Sequence, residues 1–166
     1  RIGQKNGGSV EFHFFPAFAK GLVFQEIRRE ILRDLPNARV FHNMDPISYM
    51  KALSECDMFL NPFPYGNMNS IVDSAVFGMP GLCLTGKQPH EAIDEGVFKR
   101  INRPGQLLVA HTIEEYEQLA TELISRLKDK TRYRQFAPEQ LETLYQQGPV
   151  TLAQCILELQ QRHAEI

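Results

Sequence analysis

The spacing of hydrophobic and polar positions along this chain changes repeatedly between two patterns, which predicts strands that alternate with helices. Short apolar runs bounded by turn residues are typical of buried strands, and longer stretches with apolar residues three or four apart are typical of amphipathic helices. Each predicted strand is followed by a predicted helix. The predicted strands are 10–15, 38–41, 58–60, 81–84 and 107–110, and the predicted helices are 22–35, 46–55, 70–77, 91–101 and 113–127, with further helical pieces that end with 151–163.

Local signals at the ends of these segments support the helical predictions. Pro46 suits a first helical position, and residues 112–115 (TIEE) have the spacing of a capping box, in which side chains bond to free backbone N–H groups. Asn69 is placed to cap the helix that begins near Ser70. The polar, glycine-rich residues 1–8 carry no such signal and predict an irregular start.

The order of the predicted elements indicates the class of fold. Five consecutive strand and helix units favour a parallel sheet with helices on both faces, so we predict a single Rossmann-like α/β domain over residues 1–166. In such sheets, ligands bind beyond the carboxyl ends of the strands. The loops that follow the first four predicted strands, where a site is expected, are 16–21, 42–46, 61–69 and 85–90.

Composition limits the functions that this chain can have. Of its 166 residues, 43% are hydrophobic and 23% are charged, which is ordinary for one globular domain, and the net charge is -2. The sequence has no basic patch for nucleic acid and no apolar run near the roughly 18 residues of a membrane span. Cys56, Cys83 and Cys155 have no C-x-x-C spacing, so we expect neither a zinc site nor a disulfide framework, and a cytoplasmic location fits best.

One stretch, residues 56–75, combines the features of an anion-binding site. A short apolar strand leads into a turn-rich loop that contains Gly66 and Asn67, and this loop leads into the start of a helix. The free N–H groups of a first helical turn and the positive end of the helix dipole attract an anion. Asp73, one turn into that helix, is placed to accept hydrogen bonds from a ribose diol. The alternative is an ordinary, well-capped connection between a strand and a helix.

The sequence lacks the common nucleotide and catalytic motifs, and its other candidate residues have simple explanations. It has no G-x-G-x-x-G after the first strand, no G-x-x-x-x-G-K-[ST] and no G-x-S-x-G. The acid-rich segment 90–95 is more commonly a solvated helix face than a metal site, so we predict no metal there. His42 follows a strand end, where it can contact a base, although an ordinary structural histidine is the simpler interpretation.

Residues 57–73, DMFLNPFPYGNMNSIVD, closely resemble the donor-site segment of a known enzyme family. The family is that of the bacterial cytoplasmic N-glucosyltransferases that modify high-molecular-weight adhesins, which are similar in fold to the O-GlcNAc transferases. The resemblance keeps its order and spacing over several further segments, which makes it far more specific than a single motif. These segments are 81–86, 90–100, 107–110 and 112–116, with a weaker continuation upstream at 10–14 and 21–22.

The resemblance implies the carboxyl-terminal half of a GT-B glycosyltransferase, which is the domain that binds a UDP-sugar. Asn69 matches a family position near the phosphates, and Asp73 matches a position at the ribose. The donor-binding residues that the resemblance implies within this stretch are Gly66, Asn67, Asn69, Ser70 and Asp73.

The resemblance also implies a contact to the uracil and a reaction. The family has a histidine near the uracil, for which His42 is the nearest candidate, although a gap-free register puts Asn43 there. The implied enzyme is inverting and transfers glucose from UDP-glucose to the asparagine of an N-x-[ST] sequence in an adhesin-like protein acceptor. It uses no metal or other cofactor, since helix N-termini and basic side chains stabilise the leaving group. No catalytic residue is implied within this chain.

Two departures from the family pattern bear on these expectations. The family's phosphate-binding lysine precedes the strand at 10–15, so we expect this chain to lack its first strand and helix unit as well as the amino-terminal GT-B domain. The loop after that strand is small and polar in the family, with a glutamine near the donor, but reads PAFAK at 16–20 here. Two alternatives therefore stay open: a degenerate GT-B half that acts as a protein-interaction module, and a glycosyltransferase that uses another UDP-hexose or a glycan acceptor.

Overall fold

The computed structural model describes residues 1–5, 10–101 and 105–127, together with the single positions 142, 154, 157 and 161. Apart from positions 154, 157 and 161, the helix predicted at 151–163 therefore lies outside the described residues. The helices are α1 (Ile2–Lys5), α2 (Gly21–Asp34), α3 (Pro46–Ser54), α4 (Met68–Val76), α5 (Pro89–Ile101) and α6 (Ile113–Arg126), and the strands are β1 (His13–Phe14), β2 (Arg39–Val40), β3 (Phe59–Leu60), β4 (Gly81–Leu84) and β5 (Leu107–Ala110).

The strands pair in parallel throughout, which confirms the predicted class of fold. They form two hydrogen-bonded sheets in the described residues, one with the order β1-β2 and one with the order β3-β4-β5. The two sheets belong to one packed unit, because Phe15, directly after β1, packs against the core cluster that contains Phe59 of β3. The edge of β1 that faces away from β2 and the edge of β3 that faces away from β4 have no strand partner among the described residues.

Successive side chains of β4 point to opposite faces of the sheet, and both faces are covered by helices. Leu82 packs with Ala120 and Leu123 of α6. Cys83 belongs to the other cluster, with Ile71 of α4 and Phe98 of α5. This alternation follows from the two-residue repeat of a strand, and it confirms that helices lie on both sides. In the described parts of the chain, no helix is long and apolar enough to span a bilayer.

The sequence signals for helix starts are confirmed at α3 and α6. Asp45 precedes Pro46, and its Oδ1 accepts hydrogen bonds from the N–H groups of Ile47 and Ser48 at 3.0 and 3.1 Å. At α6 the Thr112 Oγ1 accepts from the Glu115 N–H at 3.1 Å. These side chains satisfy backbone donors that have no acceptor within the helix.

The first residues differ from the irregular start that the sequence predicts. Residues 2–5 form α1, which rests on α6: Lys5 Nζ lies 2.8 Å from Glu117 Oε2, and Arg1 Nη1 lies 3.4 Å from the same carboxylate. Ile2 packs against the cluster around Leu82. Contacts with α6 therefore order a segment that has no helix signal of its own.

Two glycines are expected to respond in opposite ways to the same substitution. A Cβ added to Gly81 of β4 would overlap the ring of Phe59, whereas a Cβ added to Gly96, on the exposed face of α5, would meet nothing. We expect Gly81→Ala to destabilise the fold by about 1–3 kcal/mol and Gly96→Ala to stabilise it by roughly 0.5–1 kcal/mol. Urea denaturation of the two variants measures both changes, and similar shifts of the two midpoints would contradict this packing of β3 on β4.

Candidate functional site

The loop after β3 leads directly into α4, and Asn67 is the residue that caps this helix. The Asn67 side-chain oxygen accepts a hydrogen bond from the Ser70 N–H at 3.3 Å. The prediction that Asn69 is the cap is wrong: α4 begins at Met68, so Asn69 already lies in its first turn. Asn67 keeps a non-helical backbone with φ -136°, which is what a cap position requires.

The start of α4 presents its polar groups to solvent. Gly66, Asn67 and Asn69 are exposed, and Ser70 is half-buried. The first-turn N–H groups of an α-helix have no acceptor within the helix, so those not used by the cap point outward with the positive end of the helix dipole. The structure therefore brings together the donor-loop residues that the sequence predicts, in an arrangement suited to an anion.

Asp73 lies one turn further along α4 and is half-buried beside Tyr49 of α3. Burial raises the pKa of the Asp73 carboxyl, and a hydrogen bond from Tyr49 opposes that rise. The Tyr49 hydroxyl also lies 3.5 Å from the Ser70 Oγ. Burial of Tyr49 raises its own pKa, so the phenol stays protonated and can donate. Tyr49 thus lies beside two polar side chains of α4, Ser70 and Asp73.

Aromatic contacts connect this helix start to the carboxyl ends of β1 and β2. The Tyr49 ring meets Phe15 edge-on, with centroids 5.4 Å apart, and Phe15 stacks on Phe41 at 4.8 Å. Phe15 follows β1 and Phe41 follows β2, so the loops after these strands lie at the same edge of the sheet as the loop after β3. Three of the four predicted ligand loops therefore share one surface.

His42 and Asn43, the two candidates for a base contact, lie at that same edge. Both are exposed. One face of the His42 ring is stacked on Phe24 of α2, with ring centroids 4.0 Å apart and planes 30° apart. The stack holds the imidazole in place and leaves its opposite face for other contacts.

Sequence reasoning missed two residues that shape this site, Tyr49 and Asp94. Asp94 belongs to the acid-rich segment 90–95, but it is buried, with 4% of its surface exposed. It shares its face of α5 with Phe98 and Ile101, at helical intervals of four and three, and that spacing is the signal that could have identified it as buried. Within the described residues, no three His, Cys, Asp or Glu side chains converge as metal ligands would.

The fold and the site together define an α/β domain whose candidate site lies at the carboxyl edge of a parallel sheet, as in nucleotide-binding folds. Among solved structures, a mutant O-GlcNAc transferase of Thermobaculum terrenum has the same fold: the TM-score is 0.64 at 15% identity, over 86% of this chain and 28% of that one. This likeness confirms the expected GT-B type of architecture.

Two curated proteins are similar to this chain in sequence. They are the UDP-glucose:protein N-beta-glucosyltransferases of Actinobacillus pleuropneumoniae serotypes 5b and 7, each 36% identical over 152 residues. The match covers 90% of this chain, and the chain spans 24% of the length of these relatives. No protein-family model matches the sequence. The resemblance to the protein N-glucosyltransferases is thereby confirmed.

We expect Asp73→Asn to stabilise the fold in a pH-dependent way. Because the pKa of Asp73 is raised in the folded state, its contribution to stability is present below the unfolded pKa of about 3.9 and is lost as the pH rises through the folded value. The amide cannot ionise, so the variant should unfold at a higher temperature than wild type at pH 7 and at a similar temperature near pH 3.

Thermal unfolding at both pH values measures this effect. Asp34→Asn, which removes an exposed carboxylate at the end of α2, controls for the change in net charge. A variant that is less stable than wild type at pH 7 would contradict this prediction, because it would show that the ionised Asp73 carboxylate stabilises the fold.

Proposed function

We propose that this chain is the UDP-sugar-binding domain of an inverting glycosyltransferase that transfers glucose from UDP-glucose to asparagine side chains of a protein. The observation that carries the proposal is the start of α4, where an exposed first turn is followed by the half-buried carboxylate of Asp73 beside Tyr49. The names of the two similar proteins support both the donor and the kind of acceptor.

Each residue of the site has a role in this proposal. The first turn of α4, with Asn69 and Ser70, holds the diphosphate, and Asp73 accepts hydrogen bonds from the ribose hydroxyls. His42 or Asn43 contacts the uracil, while Gly66 and Asn67 shape the loop. The asparagine nitrogen displaces UDP from the anomeric carbon in one step, which inverts that carbon. Helix N–H groups stabilise the departing diphosphate without a metal.

We also propose that a further strand and helix unit, outside this chain, completes the sheet. The support is that one edge of β1 and one edge of β3 have no strand partner among the residues that the structure describes. The doubly wound order of strands is 3-2-1-4-5-6. If strand 1 is supplied from elsewhere, the strands of this chain give the orders β2-β1 and β3-β4-β5 on either side of it, which agrees with the two sheet orders β1-β2 and β3-β4-β5. The partner in the proposal is an amino-terminal GT-B domain of the same cytoplasmic protein, which provides the opposite wall of the cleft and the catalytic groups.

One observation favours a second candidate, a GT-B half that serves as a protein-interaction module. Phe18 has a positive φ of 66°, which is costly for a bulky residue, and its side chain is 89% exposed. Leu22, nearby in sequence, is 88% exposed. Strained and exposed hydrophobic groups are typical of contact surfaces. The same loop is also where a change of sugar specificity would arise, since it follows β1 at the ligand edge.

Titration with UDP tests the donor site. We expect Asp73→Ala, in the intact polypeptide that carries this chain, to weaken UDP binding by roughly 10- to 100-fold, since a hydrogen bond to a charged group contributes about 1.5–3 kcal/mol. Calorimetry gives the affinities, and Asp34→Ala serves as the matched control. Equal affinity for wild type and Asp73→Ala would remove Asp73 from the site.

A glycosylation assay with the intact polypeptide separates the three candidate functions. We expect transfer of glucose from UDP-glucose to peptides that contain N-x-[ST], and none to matched peptides with glutamine in place of asparagine. Mass spectrometry with a panel of UDP- and GDP-sugars detects the product. Transfer of another hexose would identify the alternative enzyme, and no transfer from any donor together with no UDP binding would favour the interaction module.

A further inference from the structure

The loop that joins β3 to α4, residues 61–67, rests on a carboxylate that lies outside it. Asp94 is on the inner face of α5 and is 4% exposed, so it cannot reach a ligand in the cleft directly. Its carboxylate lies against the buried side of the loop, close to the first and the last residues of 61–67. A buried carboxylate is costly, so its position there calls for a role.

At the carboxyl end of the loop, the Asp94 carboxylate occupies the space beside Gly66. A Cβ built on Gly66 would overlap both carboxylate oxygens of Asp94. The backbone of Gly66 is not in the left-handed region, where glycine is favoured for conformational reasons. The glycine is therefore needed for the close approach of the carboxylate, and the two residues form a matched pair.

The carboxylate also faces two polar groups of the loop. Burial raises the pKa of Asp94, whereas the side chain of Asn61 and the backbone N–H of Asn67 lower it. Asn61, at the other end of the loop, is itself buried, and its Nδ2 makes no hydrogen bond of ordinary geometry in the described residues, nor does Asp94 Oδ1. One side chain of α5 thus contacts the first and the last residues of the loop.

These contacts connect Asp94 to the start of α4 through a single residue. Asn67 directly follows Gly66, its backbone N–H lowers the pKa of Asp94, and its side-chain oxygen accepts from the Ser70 N–H at 3.3 Å. The orientation of Asn67 sets which first-turn N–H groups stay open to a ligand. A displacement of the Asp94 carboxylate would therefore be transmitted to the surface that faces the cleft.

We propose that Asp94 is a positioning residue, which clamps the loop 61–67 through Gly66 and Asn67 and so holds the start of α4 in the geometry that binds the diphosphate of a nucleotide sugar. The inference rests on the proposed function for its ligand. The clamp itself is a property of the unliganded chain and can be tested without any ligand.

A double-mutant cycle in the intact polypeptide tests the clamp. We expect Gly66→Ala to lower UDP affinity by about 10- to 100-fold, because the added Cβ pushes the loop away from Asp94. Asp94→Ala should lower UDP affinity several-fold, since Asn67 loses its partner. In the double variant the space beside position 66 is clear, so Gly66→Ala should lower UDP affinity far less in the Asp94→Ala background than it does alone. The effects of the two substitutions on UDP affinity are then coupled rather than additive.

Amide hydrogen exchange without nucleotide provides the second measurement. Each single variant should exchange faster at residues 66–70 while the global unfolding temperature changes little, and the double variant should recover part of the protection. Gly96→Ala, in open space on the same helix as Asp94, is the control for a glycine substitution. If Asp94→Ala does not fold, Asp94→Ser clears the same space and takes its place in the cycle.

The outcomes separate the clamp from the proposed function. Additive effects of the two substitutions on UDP affinity would overturn the role of Asp94. So would an amide exchange rate at residues 66–70 that is the same in Asp94→Ala as in wild type. If the wild-type protein binds no UDP but the variants show the expected coupling in hydrogen exchange, the role of Asp94 stands and the proposed ligand is wrong.

Discussion

The burial of β4 on both faces is the constraint on which the rest of this structure depends. Leu82 and Cys83 are adjacent, point in opposite directions and are both fully buried. A strand covered on both sides needs a helical layer above and below it, and parallel neighbours need helical crossovers. The same arrangement collects the carboxyl ends of the strands at one edge. The loops after β1, β2 and β3 thus come to share a surface, although they are far apart in the chain.

At that edge the chain buries polar groups where apolar groups would be more stable. Asn61 and Asp94 each have a buried side-chain atom without a hydrogen-bond partner among the described residues. An unsatisfied buried group costs about 1–3 kcal/mol. Burial also raises the pKa of Asp73 as well as that of Asp94. Polar groups retained at such a cost around one loop are typical of a binding site, where geometry matters more than local stability.

The start of α4 shows how far local sequence can predict such a site. Asn67 and Asn69 are both good capping residues, and a local pattern cannot choose between them. The choice depends on the path of the preceding loop, where the carboxylate of Asp94 fills the space beside Gly66. By contrast, α3 begins at Pro46 and Thr112 caps α6 as predicted, because all partners in these helix starts lie within a few residues of each other.

By itself, the sequence determined the order and type of the elements from β1 to α6, the parallel class of fold and the loop that is the candidate site. These follow from spacing within a few residues and from the rule that parallel strands alternate with helices. Only the tertiary structure decided which side chains support that loop. Tyr49 comes from α3 and Asp94 from α5, and both meet α4 or its loop because helices on one face of the sheet pack side by side. Contacts between residues so far apart in the chain depend on packing, and no local pattern encodes them.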